Sequence, residues 1–211
     1  VAGSPDDVAL DVAALAMTAV LTGPVDEVTA CAQLDSLAVG VTDVDDLLAQ
    51  LYGTHGFSGA CPPVADPALS FLDRVLMAHT GLPILLGVVV MEVGRRAGLD
   101  IRPVNLPLHF IVADAARPGV FIDPCSGTVM DAAGVEAFLT HWSSGRMPWA
   151  DRHLRVVPNR HVVIRMLTNL QTVYQGRRDP LRLALVGAMR AAIPELAQEQ
   201  PTAVRLGAVF N

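Results

Sequence analysis

The chain has 211 residues, 52% hydrophobic and 17% charged, with a formal net charge of −6. That composition excludes a disordered chain and supplies enough apolar material for a substantial core. The acidic balance argues against broad nucleic-acid binding, and no apolar run approaches the roughly 20 residues of a membrane span.

Every one of the 15 basic residues is arginine. The lack of lysine removes a P-loop lysine, a Schiff-base lysine for pyridoxal phosphate and a lysine general base. Three cysteines, at positions 31, 61 and 125, form neither a disulfide framework nor a C-x-x-C metal pair. The first residues are acidic and lack the basic leader of a secretory signal, so a reduced, cytoplasmic setting is expected.

In chain order, residues 7–52 read as helical, with Val8, Val12, Leu15 and Val20 recurring at helical spacing. Gly23-Pro24 breaks this stretch, and Thr42 or Asp43 can cap a helix carrying Leu47, Leu48 and Leu51. Glycines and prolines make Gly53 to Pro67 a loop, followed by a short helix through Phe71, Leu72 and Leu76. Gly81 to Gly98 is the most apolar segment. It has Pro83 in its first turn, Arg95 and Arg96 near its end and Gly98 past its end, so it predicts a helix enclosed on most sides. Glu92 is its one carboxylate, which burial would oblige to pair.

The pattern then turns to strands over Ile101–Asn105, Leu108–Asp114 and Val120–Asp123, the last two joined as a hairpin across 115–119. Helices follow over about 159–176 and 180–193, and Pro201 opens a final short piece. The arginines of the last third are spread along these helices and read as a solvated face. A buried helix followed by an antiparallel sheet, with helical material on both sides, is an α+β layout.

Two residues of the hairpin carry chemistry. If Ala113 pairs with Gly119, the same register sets His109 opposite Asp123, with β-carbons about 4.5–5.5 Å apart. The carboxylate would then fix the imidazole tautomer and raise the basicity of its other nitrogen, the base-and-orienter half of a catalytic triad. A half-buried histidine bonded to a carboxylate can also be structural, with no chemical role. Cys125, just past Asp123-Pro124, is a thiol that a nearby histidine could activate, or a small residue in a turn. Cys31 and Cys61 have no such neighbours. His109, Asp123, His79 and His55 are zinc- or iron-binding types without metal-ligand spacing, so no metal and no cofactor is expected. His141, His153 and His161 read as surface residues. Trp142 and Trp149 flank a loop that could roof a groove over His109 or meet a partner.

Several ordered segments resemble the SirB-type branch of the transglutaminase-like proteins. They are Ser70-Phe71-Leu72, Gly81-Leu82-Pro83, Met91 through Leu99, Leu106-Pro107-Leu108-His109-Phe110 and Phe121-Ile122-Asp123-Pro124. Pro158-Asn159-Arg160, Met166 through Leu170 and Tyr174 complete the set. Together they lie within residues 34–193. The resemblance implies a papain-like core, a central helix packed on an antiparallel sheet, flanked by N- and C-terminal helices. In active relatives of the superfamily a cysteine at the helix start is the nucleophile, and a histidine and an aspartate on successive strands complete the triad. His109 and Asp123 match the last two roles. Thr80-Gly81-Leu82-Pro83-Ile84 offers no thiol for the first. The loss discards the pKa-lowering a helix N-terminus gives a thiol, and Thr80 is expected to serve as an N-cap.

The expected organisation is a helical part (1–65), a transglutaminase-like core (66–150) and a helical extension (151–211), packed as one domain. Two functions follow. One is a binding or adaptor protein that has lost the chemistry and takes a small-molecule, peptide or protein ligand. The other is an enzyme of amide, ester or thioester hydrolysis or acyl transfer, with His109 as base, Asp123 as its orienter and water or Cys125 as attacker. A third, a helical interaction platform over 159–193, would need an exposed apolar groove there. Neither nucleic acid nor membrane is expected as partner, and the sequence leaves the oligomeric state open.

Overall fold

The computed structural model describes residues 8–60, 66–194 and 196. Three helices come first: α1 (Leu10–Thr22), α2 (Glu27–Leu37) and α3 (Val44–Leu48), the last running into a π-helical turn at Ala49–Thr54. A two-residue strand, β1 (Ser58–Gly59), precedes α4 (Leu72–Ala78), β2 (Thr80–Gly81) and the central helix α5 (Pro83–Arg96). Four strands follow, β3 (Ile101–Val104), β4 (Ile111–Asp114), β5 (Phe121–Asp123) and β6 (Thr128–Met130). Then come α6 (Ala132–Ser143), α7 (Asn159–Gly176) and α8 (Pro180–Ala191). Mixed helix and antiparallel sheet make this an α+β fold.

The helix starts are set by local chemistry. Aspartates 26, 43, 131 and 179 each accept a backbone N–H of the first turn, at α2, α3, α6 and α8. Pro83 opens α5, where a missing N–H costs nothing, and Gly98 ends it in the left-handed region at φ 81°.

Strands β3 to β6 form one antiparallel sheet in sequence order. Alternate side chains go to opposite faces. Val112 and Ile122 join the large core around α5, while Ile111 and Phe121 join a second cluster with Val135 and Leu139 of α6. The sheet is therefore a middle layer between α5 and α6. Buried residues of α1, α2, α4, α5, the sheet, α7 and α8 belong to one apolar cluster.

Glu92 is buried in α5 and its carboxylate accepts from both Arg95 (2.8 Å) and Arg96 (2.7 Å). Arg96 also donates to Asp11 and to Asp35, at 2.7 Å each, which ties α1 and α2 to α5 through one guanidinium.

Several expectations are corrected here. In α1 the buried face is Leu10, Ala14, Leu15, Met17 and Leu21, and Val12 and Val20 are exposed. The supposed loop from Gly53 contains β1, which pairs in parallel with β2, and Thr80 sits on β2 while Leu82 is the N-terminal boundary residue of α5. Thr80 is therefore not the helix cap. Strand β6 and helix α6 follow β5, where no separate element was predicted. The hairpin register pairs Ala113 with Phe121, not Gly119. That shift of two residues keeps every side chain on its expected face. His153 is buried, not a surface residue. Cys61 and the segment after Pro201 lie outside the described residues.

Candidate functional site

His109 is placed by the connection between β3 and β4. It is not itself on a strand; β4 begins at Ile111. The connection turns at Leu108, a residue 62% exposed that holds the left-handed conformation at φ 64°. From α7, Arg165 Nη1 donates to Asn105 Oδ1 and, at 2.9 Å, to Leu106 O, bracing the same connection. Phe110, the next residue, packs into the core against α5.

Asp123 ends β5 and is buried. His109 Nε2 lies 2.8 Å from Asp123 Oδ1. A carboxylate only accepts, so Nε2 carries the proton and Nδ1 is the ring nitrogen left for other partners. Asp123 Oδ1 also accepts the Cys125 N–H and Oδ2 the Ser126 hydroxyl, each at 3.0 Å. Burial pushes its pKa up, but the bonds from His109 and the Cys125 amide outweigh burial and hold it below the ordinary carboxylate value.

The turn after Asp123 is fixed from two sides. Gly127 N–H returns to Asp123 O at 2.8 Å, with Gly127 at φ 71°. Tyr52 donates to Pro124 O at 2.8 Å, and its ring fills the space beside Gly127 where a Cβ would lie 2.4 Å from it. Burial, then the negative charge of Asp123, raises the Tyr52 pKa, so it stays a phenol.

The turn directs Cys125 back at the pair. One ligand atom each of His109, Asp123 and Cys125 lie within 4.8 Å of one another, the geometry of a Cys–His–Asp group and also of three ligands for a zinc-type ion. Gly59 of β1 donates its N–H to Cys125 O at 2.8 Å, and a Cβ there would stand 2.5 Å from Sγ. The β1–β2 ladder thus seats Cys125.

From α6, Phe138 lies 4.7 Å from the imidazole, and Trp142 is nearly parallel to it at 6.3 Å. The roof over His109 is therefore helix α6, and Trp149 stands apart against His153. A cavity of about 540 Å³ opens between these groups, the start of α5 at Leu82–Ile84, and the Arg165–Val173 face of α7. The N-terminal end of α5 carries no side-chain cap, so its positive pole borders the cavity.

Of the candidate residues, His109, Asp123 and Cys125 come together, and Cys31 is elsewhere, packed on the helical core. His55 and His79 group with each other and with Phe57, not with His109. Sequence reasoning missed Gly59, Phe138 and Arg165. Arg165 adjoins the apolar face of α7 formed by Val162, Met166 and Leu170, and nothing in its spacing marks it.

The family described as the Transglutaminase-like superfamily matches residues 17–168. A UPF0162 protein of Xylella fastidiosa is 32% identical over 161 residues, 74% of this chain and 56% of the relative. The UPF0162 protein of Vibrio cholerae is 26% identical over 141 residues, 65% of this chain and 52% of the relative. Protein SirB1 of Salmonella typhimurium is 25% identical over 164 residues, 77% of this chain and 60% of the relative. The chain thus spans little more than half the length of the curated relatives it matches. No solved structure matches it. No helix is long and apolar enough to cross a membrane, among the described residues. With the family match covering well over half of the sequence, the chain belongs to the transglutaminase-like superfamily and, within it, to the SirB-type family.

Proposed function

We propose that the chain is a binding protein on the transglutaminase-like fold, whose ligand rests in the cavity against the His109–Asp123 pair. The observation that carries this reading is the cavity of about 540 Å³, a usual size for a small-molecule site. Its walls are largely apolar, and His109, Asp123, Arg165 and Asn169 are among its polar groups. The start of α5 bears no thiol, which supports binding without the nucleophile that active relatives keep there. The helical parts and the core act in this reading as one folding unit, since their buried residues share one apolar cluster. A reduced cytoplasmic setting suits the half-buried Cys125 thiol.

The test uses uncharged Nile red, whose emission reports an apolar site. Titration into wild type brings a blue-shifted, saturable signal, and Thr172→Trp, which fills the α7 side of the cavity, abolishes it with the fold intact by circular dichroism. Unchanged binding in that variant places the dye elsewhere and removes the reading.

The position of Cys125 favours a second reading, acyl transfer. Its Sγ, within 4.8 Å of a ring nitrogen of His109 and a carboxylate oxygen of Asp123, would attack a carbonyl carbon after yielding its proton to the imidazole. The imidazolium returns that proton to the departing amine, alcohol or thiol, and water then hydrolyses the acyl-thioester. Iodoacetamide labelling with peptide mapping decides it. Selective alkylation of Cys125 at mildly acidic pH, abolished by His109→Ala, supports the reading; ordinary or absent labelling in both proteins ends it.

A further inference from the structure

Two arginines of this chain meet burial in opposite ways. Arg96 is surrounded by carboxylates, with Asp11, Asp35 and Glu92 all within 2.7 Å, and its pKa is raised although burial alone would lower it. Arg165 has no carboxylate within ion-pair distance among the described residues. Its partners there are the neutral Asn105 Oδ1 and Leu106 O, both taken by Nη1. Burial pushes the Arg165 pKa down, yet an arginine so placed keeps its charge. A half-buried charge with neutral partners only carries a desolvation cost, and an anion brought to it recovers part of that cost.

Arg165 faces the cavity, so an anion there has a route to it. The other ionised group on the wall, Asp123, has its carboxylate engaged by His109, the Cys125 amide and Ser126. Asn169, one turn along α7, also lines the cavity and adds an amide donor beside the guanidinium. Phe110, Phe138 and Trp142 supply apolar surface to the same cavity. A guanidinium from α7 and aromatic rings from α6 in one cavity match a molecule that is anionic at one end and apolar in its body.

We propose that the cavity takes an amphipathic carboxylate, its carboxylate bound by Arg165 with support from Asn169 and its apolar body against Phe138 and Trp142. This rests on the binding reading above and names its ligand class. Such a carboxylate has two sources, a free organic acid or the C-terminus of an apolar-ended chain.

Isothermal titration calorimetry compares phenylbutyrate with phenylbutyramide, and an N-acetylated apolar tripeptide with its C-terminal amide. In wild type at least one acid binds about tenfold or more tighter than its neutral amide. The pair that shows the preference identifies the source. Arg165→Gln removes the preference of acid over amide. Because Arg165 also braces the His109 connection, Asn169→Asp is the second variant. It keeps the bonds to Asn105 and Leu106 and sets a carboxylate one helical turn from the guanidinium, and it too removes the preference. Equal affinity of acid and amide in both wild-type comparisons overturns the inference, and bound amide or Nile red shows that the binding reading survives it. If neither acid, amide nor Nile red binds, both fall together.

Discussion

Phe110 occupies the space that a side chain on Gly87 would need: a Cβ at position 87 would stand 2.3 Å from Phe110 Cε1. This contact joins the central helix to the connection that carries His109, because Phe110 is the next residue. Both are buried, and the ring also borders the cavity, so relief of the clash means displacing the ring from its seat.

Gly87→Ala therefore tests whether packing or propensity governs the helix. Alanine in a helix interior gains roughly 0.5–1 kcal/mol over glycine by propensity. Overpacking a tight interior costs about 1–3 kcal/mol. The clash wins, so the variant is expected to be less stable by about 1–2 kcal/mol in urea unfolding. A gain in stability would show that the ring yields freely.

The same contact explains what the sequence could disclose. The length and C-terminal end of α5 were readable from Pro83, Gly98 and the mostly apolar run between them, but not its N-terminal boundary residue, and α7 from Asn159–Gly176 matched its prediction because its apolar residues keep helical spacing. His109 was expected opposite Asp123 on a strand, whereas it lies before β4 in the connection that Leu108 turns and from there reaches Asp123 Oδ1. What could not be read was how distant segments meet. A two-residue strand such as β1 has no periodicity, so the seat that Gly59 makes for Cys125 has no local signature. Arg165 looks in sequence like any surface arginine of an amphipathic helix, and only the tertiary packing puts it on the cavity wall.

Removal of Arg96 should expose the cost of the carboxylates it serves. Asp11 and Glu92 are both buried, and Arg96→Met leaves them with Arg95, which is 61% exposed at its side chain and reaches Asp11 only at 3.6 Å. Breaking a buried ion group by deleting one partner costs about 3–5 kcal/mol. We expect a loss near the lower end of that range because Arg95 still pairs with Glu92. Arg95→Met is the control and should cost no more than about 1 kcal/mol. Equal losses in the two variants, measured by chemical unfolding, would contradict the central place given to Arg96.

Leu108 is a site where glycine should be tolerated. A non-glycine residue in the left-handed region costs about 1–2 kcal/mol, and glycine gives back roughly 0.5–1 kcal/mol through its freer unfolded chain. The side chain is mostly exposed, so little packing is lost. Leu108→Gly is expected to stabilise by up to about 1 kcal/mol, read as a higher urea midpoint. Leu108→Pro, which cannot adopt φ 64°, should unfold the connection and disrupt the His109–Asp123 pair. A lowered midpoint in the glycine variant would mean that Leu108 contributes contacts beyond those of an exposed turn residue.

The carboxylate of Asp123 should make stability depend on pH in one direction. Its folded pKa lies below the unfolded value of about 3.9, so its contribution is fully present above that value and is lost as pH falls through the folded pKa. Asp123→Asn keeps the shape but removes the charge; its amide oxygen can still accept from His109 and the Cys125 amide, while its NH2 replaces the oxygen that accepts the Ser126 hydroxyl. Near pH 7 the variant is expected to be less stable than wild type by about 1–3 kcal/mol. On acidification below about pH 4 the gap narrows, because the wild-type group becomes protonated as well. Asp11 and the other carboxylates are common to both proteins and cancel in the difference. Urea unfolding at neutral, mildly acidic and strongly acidic pH reads it directly. A gap that stays constant through the acid range would show that Asp123 acts in the fold by its shape and not by its charge.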